Sequence, residues 1–478
     1  MAASSGKPSS RLEELLSSSK RVEDLSLTDD EYEDMETIST VLESANATYI
    51  SSVALPLQDL LTTETSEVQD ETLEAILPFL EGNPNGFELN SFGIPKLQRK
   101  IHIPFLHHAL GDYPPQFAAM DASKPWILYW CLQGLTALGC SVDDYRERVI
   151  YTFASCQHPQ GGFGGGHGQL PHLAATYAAI LSLVIVGTPK AYSSINRSAM
   201  YSFLGQMKQA DGGFTMAPGG EEDIRGAFCA LVTLSLLTLP LELPPDAPAR
   251  KHGLTSFTDR LGEWIGKCQT FEGGISAAPT NEAHGAYAFC GLGCLSIMGP
   301  PKETVNQYLD VPHLVQWLSY RQCAPEGGYN GRTNKLVDGC YSHWVGSCWA
   351  LLEEAAGPGI FNRSALGRYI LSAAQFKKGG LIDKPGKRPD AYHTCYNLAG
   401  LSAAQYQYKF DERANGDIGQ GALGAPYYWK VDGEWQGDGV WGKVWDKDDI
   451  VQLIHPVFVV PWGKAEECRS YFEGKKDL

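Results

Sequence analysis

A chain of 478 residues is too long for one ordinary core, and at 43% hydrophobic and 19% charged it is globular and slightly charge-poor. Lys and Arg number 38 against 55 Asp and Glu, a formal net charge of −17. That balance excludes a general nucleic-acid binder and requires any anion site to gather its positive charge locally. With no run of 18 uncharged apolar residues and no signal-type apolar stretch in MAASSGKPSSRLEELL, the chain reads as cytoplasmic, without a transmembrane segment, and its 12 cysteines as thiols.

Residues 1–50 are rich in Ser, Asp and Glu and have few large apolar side chains, so they are expected to be largely disordered. Residues 51–94 read as an N-terminal helical extension and 95–478 as the main domain. In that domain a Gln-led Gly-Gly pair with an apolar follower recurs as QHPQGGF, QADGGF, QTFEGGI, QCAPEGGY and QFKKGGL. The first glycines fall at 161, 212, 273, 327 and 379, a spacing that marks a repeat architecture. A long helical stretch, apolar nearly all round, follows each pair (172–187, 223–237, 284–299, 338–354 and 390–404). More polar helical segments such as HLVQWLSYRQC (313–323) and SALGRYILSAAQF (364–376) alternate with these. A ring of inner helices inside a ring of outer helices, an all-α α/α barrel, is the simplest closed arrangement. The stretches are too long and too rich in Ala and Leu for propeller strands. Residues 410–449, rich in Gly, Trp and Asp and lacking helical period, read as a long irregular surface insertion. Within it DKDD (446–449) matches the D-x-D-D acid pattern of some terpene cyclases, but reads as a surface charge run.

Ten residues after each second glycine stand His172, Asp223, His284, Asp338 and Asp390, so every repeat sets a polar group at the start of its inner helix. Helix capping accounts for Asp at such positions. In a closed ring these positions, with Arg225, Tyr287, Cys340, Tyr341, Tyr392 and His393 just beyond them, gather at one end of a central cavity. Asp338, Cys340 and His393 offer a carboxylate, a thiolate and an imidazole, a set that suits Zn²⁺ with a fourth position open. The same three also fit a capping Asp, a buried Cys and a core His. Arg332 and Lys335, with His284, Tyr287, Lys384 and Lys387 at equivalent levels, form a cationic collar suited to a diphosphate or simply a solvated loop. Trp126 and Trp130, one helical turn apart in KPWILYW, line an apolar pocket with Tyr177, Phe228, Tyr287, Trp344 and Tyr396, or are plain core.

GGFGGGHGQLPHLAATYAA, NEAHGAYAFCGL, GRTNKLVDGCYSHW and GGLIDKPGKRPDAYHTCYNLAGLS resemble the β subunits of the protein farnesyltransferase family, over roughly 95–408 and an HPVF segment at 455–458. The resemblance implies a barrel of about six helix pairs and an obligate heterodimer with a helical-repeat α subunit. It also implies transfer of farnesyl from farnesyl diphosphate to the cysteine of a C-terminal CaaX sequence. On it, Asp338, Cys340 and His393 match the ligands of one Zn²⁺, and Asp383 matches a Mg²⁺-associated carboxylate. His284, Arg332, Lys335 and Tyr341 match the diphosphate-binding groups. Gly285, Ala286 and Tyr287, with Thr333 and Asn334, match isoprenoid-diphosphate contacts. Arg225, Phe228, Cys290 and Trp344 match the wall of the isoprenoid pocket. Trp126, Trp130, His172 and Tyr392 match peptide contacts, with Tyr396 beside them. Ala286 stands where the family often has a second glycine, and Phe228 where it often has tyrosine. The bulky Trp126 and Tyr396 favour the farnesyl type over the related geranylgeranyltransferase β subunits, which hold a chain five carbons longer. At about 0.8 kcal/mol per buried CH₂, such a block can decide specificity. A terpene cyclase would need its acid run inside the cavity, and a non-catalytic scaffold has no use for aligned polar positions at one end of the ring.

Overall fold

A computed structural model describes residues 62–113, 115–357, 361–411, 421–438 and 442–475. Its contacts separate Met1–Ala54 from Leu55–Leu478, and everything below concerns the second unit. The acidic tail expected at 1–50 lies outside the described residues. From the expected extension comes helix α1 (Glu64–Glu81), opened by a capping box between Thr63 and Ser66.

Six outer helices alternate with six inner positions. The outer helices are α2 (Arg99–Ala109), α4 (Arg146–Cys156), α6 (Arg197–Met207), α8 (Leu261–Cys268), α10 (Val311–Ser319) and α13 (Arg363–Ser372). The inner ones are α3 (Lys124–Ala137), α5 (Leu173–Val186), α7 (Ile224–Leu236), α9 (Gly285–Met298), the pair α11 (Tyr341–Trp344) and α12 (Cys348–Ala356), and α14 (Ala391–Gln405). Each inner helix packs on the next, and α14 returns to α3, so the ring closes as expected. Burial matches the sequence pattern: in α5 every residue except Ala174 is buried. A helix apolar on all faces is stable in water only when surrounded by others.

The Gly-Gly turns explain how repeat follows repeat. All five first glycines have positive φ, between 80° and 116°. A side chain at 161, 212, 273 or 379 would strike the carbonyl of Ala199, Arg260, His313 or Ile101 on or beside the next outer helix. The second glycines lie flat against an aromatic ring: Phe203, Trp264, Trp317, Tyr369 and Phe105 in turn. Only glycine permits both the backbone angle and the approach. The last turn docks on Phe105 of α2, which is how the fifth repeat finds the first outer helix. The leading glutamine grips the next element, as where Gln269 bonds both the N–H and the C=O of Asp310.

Three expectations are corrected. The fifth inner stretch is not continuous: Gly346 N–H bonds back to the Tyr341 carbonyl, five residues earlier, and the helix breaks at 345–347. Such local widening is common beside functional residues. The 410–449 stretch is less irregular and less superficial than its composition suggests. Strand β1 (Tyr406–Phe410) pairs antiparallel with β2 (Trp429–Glu434), Phe410 opposite Trp429, and Trp429, Trp435 and Trp445 are buried. DKDD is a surface run only in part: Lys447 and Asp448 are exposed, but its last residue is not. Asp449 is fully buried and accepts from Leu97 N, Asn90 Nδ2 and Asp446 N, while Asp446 accepts from Ser91. The motif clamps segment 90–97 to the barrel wall.

Candidate active site at the mouth of the inner ring

The capping interpretation of the polar level is correct at four of the five repeats; at the fifth, Asp338 bonds the backbone just ahead of the helix, whose N-cap is Cys340. His172 Nδ1, Asp223 Oδ1, His284 Nδ1, Asp338 Oδ1 and Asp390 Oδ1 each accept a backbone N–H two or three residues on. The starts of the inner helices are also laced to the following repeat, by Leu173 N to Met216 O, Ile224 N to Ala277 O, Gly285 N to Gly331 O and Gly339 N to Asp383 O. Capping therefore builds a rim of polar side chains at one level, and the chemistry is added to it.

Asp338, Cys340 and His393, distant along the chain, converge: one ligand atom of each lies within 4.8 Å of the others. His393 Nε2 is 3.2 Å from Asp338 Oδ1, and its Nδ1 is 2.7 Å from Asp390 Oδ2. Burial works against a charged imidazole, but the hydrogen bonds and charges of Asp338 and Asp390 outweigh it and raise the His393 pKa to about 10. Burial, then the Asp338 charge, pushes the Cys340 thiol up. A thiol, a carboxylate and an imidazole whose second nitrogen is already held by a carboxylate are the donor set of a zinc site with an open position.

The collar is assembled beside this cluster. His284 uses Nδ1 for its cap, so its proton sits on Nε2, 3.0 Å from the Tyr341 hydroxyl. Burial, then the Arg332 charge, lowers the His284 pKa to about 4, which keeps the ring a neutral donor. Gly331 presses on the Tyr341 ring, where a Cβ would come within 2.0 Å of its Cζ. Arg332 pairs with Glu282 at 2.7 Å, and Thr333 donates to Glu272 at 2.6 Å. Asn334 and Lys335 are exposed, and Asn334 takes positive φ. Arg225 is held by both oxygens of Asp223 and lies over the Tyr287 ring, 5.5 Å from its centroid. Asp383 is paired with Lys384 at 2.5 Å; burial, then the Asp338 charge, raises its pKa. No bond ties the Lys335 side chain to the cluster, so the structure brings Lys335 to the rim and no closer.

Below the rim the aromatic residues form one closed belt. Neighbouring ring centroids are 4.5–5.7 Å apart along Trp126, Tyr177, Phe228, Phe289, Trp344, Tyr396, Tyr392, Trp130 and back to Trp126. Every inner helix contributes. Tyr287 belongs to the collar instead, 4.8 Å from His284, and Phe289 takes the place expected for it. Cys290 is buried beneath Tyr287.

The prenyltransferase alpha-alpha toroid domain model matches residues 97–460. The protein farnesyltransferase subunit beta of Pyricularia oryzae is 47% identical over 88% of this chain and 83% of its own length. The chain belongs to the protein farnesyltransferase β-subunit family. The Schizosaccharomyces pombe subunit beta is 35% identical, over 86% of this chain and 97% of its own. Among solved structures, Candida albicans protein geranylgeranyltransferase-I complexed with GGPP is similar in fold, with TM-score 0.59, 22% identity, and coverage of 79% of this chain and 99% of that one.

As a farnesyltransferase-family β subunit, the chain is part of a prenyl-transferring enzyme. Three of its site residues escaped the sequence. Asp390 was recognised as a cap, yet its second oxygen orients His393; the D-x-x-H spacing in DAYHT carried that signal. Glu282 and Glu272 hold Arg332 and Thr333, pairings that no local pattern announces. Among the described residues no helix is long and apolar enough to cross a membrane.

Proposed function

We propose that this chain is the catalytic β subunit of a zinc-dependent protein farnesyltransferase. It acts in the cytoplasm with a helical-repeat α subunit and transfers farnesyl from farnesyl diphosphate to the cysteine of a CaaX terminus. The observation that carries this reading is the meeting of Asp338, Cys340 and His393 within 4.8 Å, next to the paired His284 and Tyr341, at the mouth of an aromatic-belted ring. Asp338, Cys340 and His393 would hold a Zn²⁺, which would supply a Lewis acid able to lower the pKa of a bound thiol from its ordinary value near ~8.5, the proton leaving to water.

The reaction joins the substrate sulfur to C1 of farnesyl and breaks the C1–O bond, and the electron pair leaves on diphosphate. His284, through its Nε2–H, and Tyr341, through its hydroxyl, donate to the leaving oxygens. Arg332 and Lys335 add positive charge, and Asp383 is the carboxylate assigned to Mg²⁺. The belt from Trp126 round to Trp130 takes the isoprenoid out of water and leaves the diphosphate at the collar, which sets C1 at the level of the metal residues. His172, Trp126, Trp130 and Tyr392 face the peptide. No side-chain base is required.

The test is co-expression with a family α subunit, followed by metal analysis and transfer assays with farnesyl and geranylgeranyl diphosphates. About one zinc per heterodimer and preferential farnesyl transfer to a CaaX peptide are expected. Zinc-free, active enzyme overturns the site, and preferential geranylgeranyl transfer overturns the substrate.

A further inference from the structure

We propose that His343 is a specificity-determining buttress: its imidazole backs the Tyr396, Trp344 and Phe289 segment of the aromatic belt and so fixes how long an isoprenoid the ring accepts. The proposal rests on the farnesyl-transfer reading above.

His343 follows Cys340 by three residues, and Tyr396 follows His393 by three, so both lie about one helical turn deeper than the metal residues. The ring centroid of His343 is 4.5 Å from Phe289, 4.8 Å from Trp344 and 5.1 Å from Tyr396, the last in a nearly parallel stack at 19°. No other side chain outside the belt stacks on three of its rings among the described residues. The imidazole is 2% exposed, and burial holds its pKa down to about 3, so it is a neutral plate. Ser347 Oγ, 2.8 Å from Nδ1, fixes its plane, while Nε2 meets no partner. This anchor lies in the break of the fifth inner helix.

Beside His343 is a cavity of about 10 Å³, lined also by Ser347, Ala350, Ala399 and Tyr408 and by none of the belt rings. The imidazole therefore stands between the belt and a void. Packed interiors relax only partly around a deletion, and here removal of the ring adds to space already present. Tyr396 and Trp344 then gain room to tilt outward, and the pocket lengthens. A phenyl ring at 343 would keep the buttress, since the void accommodates its extra bulk.

The experiment compares the heterodimer carrying H343F, H343L or H343A with wild type. The readout is the ratio of kcat/KM for farnesyl over geranylgeranyl diphosphate with one CaaX peptide; zinc content and thermal midpoint verify the fold. The ratio is expected to hold in H343F, to fall partway in H343L and to fall about tenfold or more in H343A. S347A, which frees the imidazole without deleting it, is expected to move the ratio in the same direction, and with H343L it decides the matter where H343A does not fold. A ratio constant within about twofold across the folded variants, or parallel loss of both activities, overturns the buttress and leaves the farnesyl reading intact. A wild type with no farnesyl preference overturns that reading and the buttress with it.

Discussion

The structure predicts that acid unfolds this protein from within, beginning at mild pH. His102, His343 and His455 are each 2% exposed or less and each neutral. His455 shows why: its Nδ1 accepts from the backbone of both Val457 and Phe458, and its Nε2 donates to Pro426 O, so both nitrogens are committed in the neutral form. Burial lowers its pKa to about 3, that of His343 to about 3 and that of His102 to about 4, against 6.5 in the unfolded chain. The unfolded state thus binds more protons between pH 6.5 and 4, and stability falls as pH falls through that window. At pH 5 each site costs about 2 kcal/mol at 1.36 kcal/mol per unit, so the three together cost about 6 kcal/mol, comparable to the whole stability of an ordinary domain. The assay is urea unfolding at pH 7.0, 6.0 and 5.0, with chelator present so that metal release does not contribute. Wild type should lose stability steeply below pH 6.5, and H343F, which removes one titrating ring, about 2 kcal/mol less. A stability flat from pH 7 to 5, or an H343F profile parallel to wild type, would refute the reasoning.

Four further outcomes are expected. Cys340→Ala should abolish zinc retention, read by metal analysis of the purified heterodimer, because the remaining carboxylate and imidazole are one ligand short of the three that hold an open zinc site. Asp390→Ala should weaken zinc about 10–100-fold in chelator competition, because His393 loses the carboxylate at Nδ1. Gly331→Ala should displace the Tyr341 ring from His284 and slow transfer while peptide affinity holds, as measured by pre-steady-state kinetics and peptide titration. Asp449→Ala should lower the thermal midpoint at unchanged zinc content, since the Leu97 amide would be left buried without its partner, at about 1–3 kcal/mol, and Asn90 Nδ2 would keep only Val444 O.

The ring was legible because its cause is local. A Gly-Gly pair needs positive φ and a bare Cα against the next helix, so the residues that enforce the turn cannot vary, and five copies of it mark the period. The inner helices were legible because burial on every face leaves no polar stripe. What was not legible arises across repeats. The closed belt requires Phe289 rather than Tyr287, a choice set by the helical phase of α9, which an all-apolar sequence does not reveal. The break at Gly346 was hidden in the same way. Asp449 looked like a charge run because its partners, Asn90 and Leu97, lie some 350 residues away in the chain.

The rim shows how a candidate site grows out of a folding requirement. Four of the inner helices cap their N-termini with a side chain, so their repeats carry Asp or His at that level whether or not it does chemistry. At His284 the cap fixes the tautomer and turns Nε2–H toward Tyr341, and at Asp390 it leaves one oxygen for His393. Asp338 accepts the Cys340 N–H with Oδ1, just ahead of its helix, while standing 3.2 Å from His393. Placement of the reactive groups thus comes from the capping geometry, and only Cys340, His393 and Tyr341 are additions specific to their repeats. Repeats that keep the cap alone, at His172 and Asp223, remain walls of the same mouth.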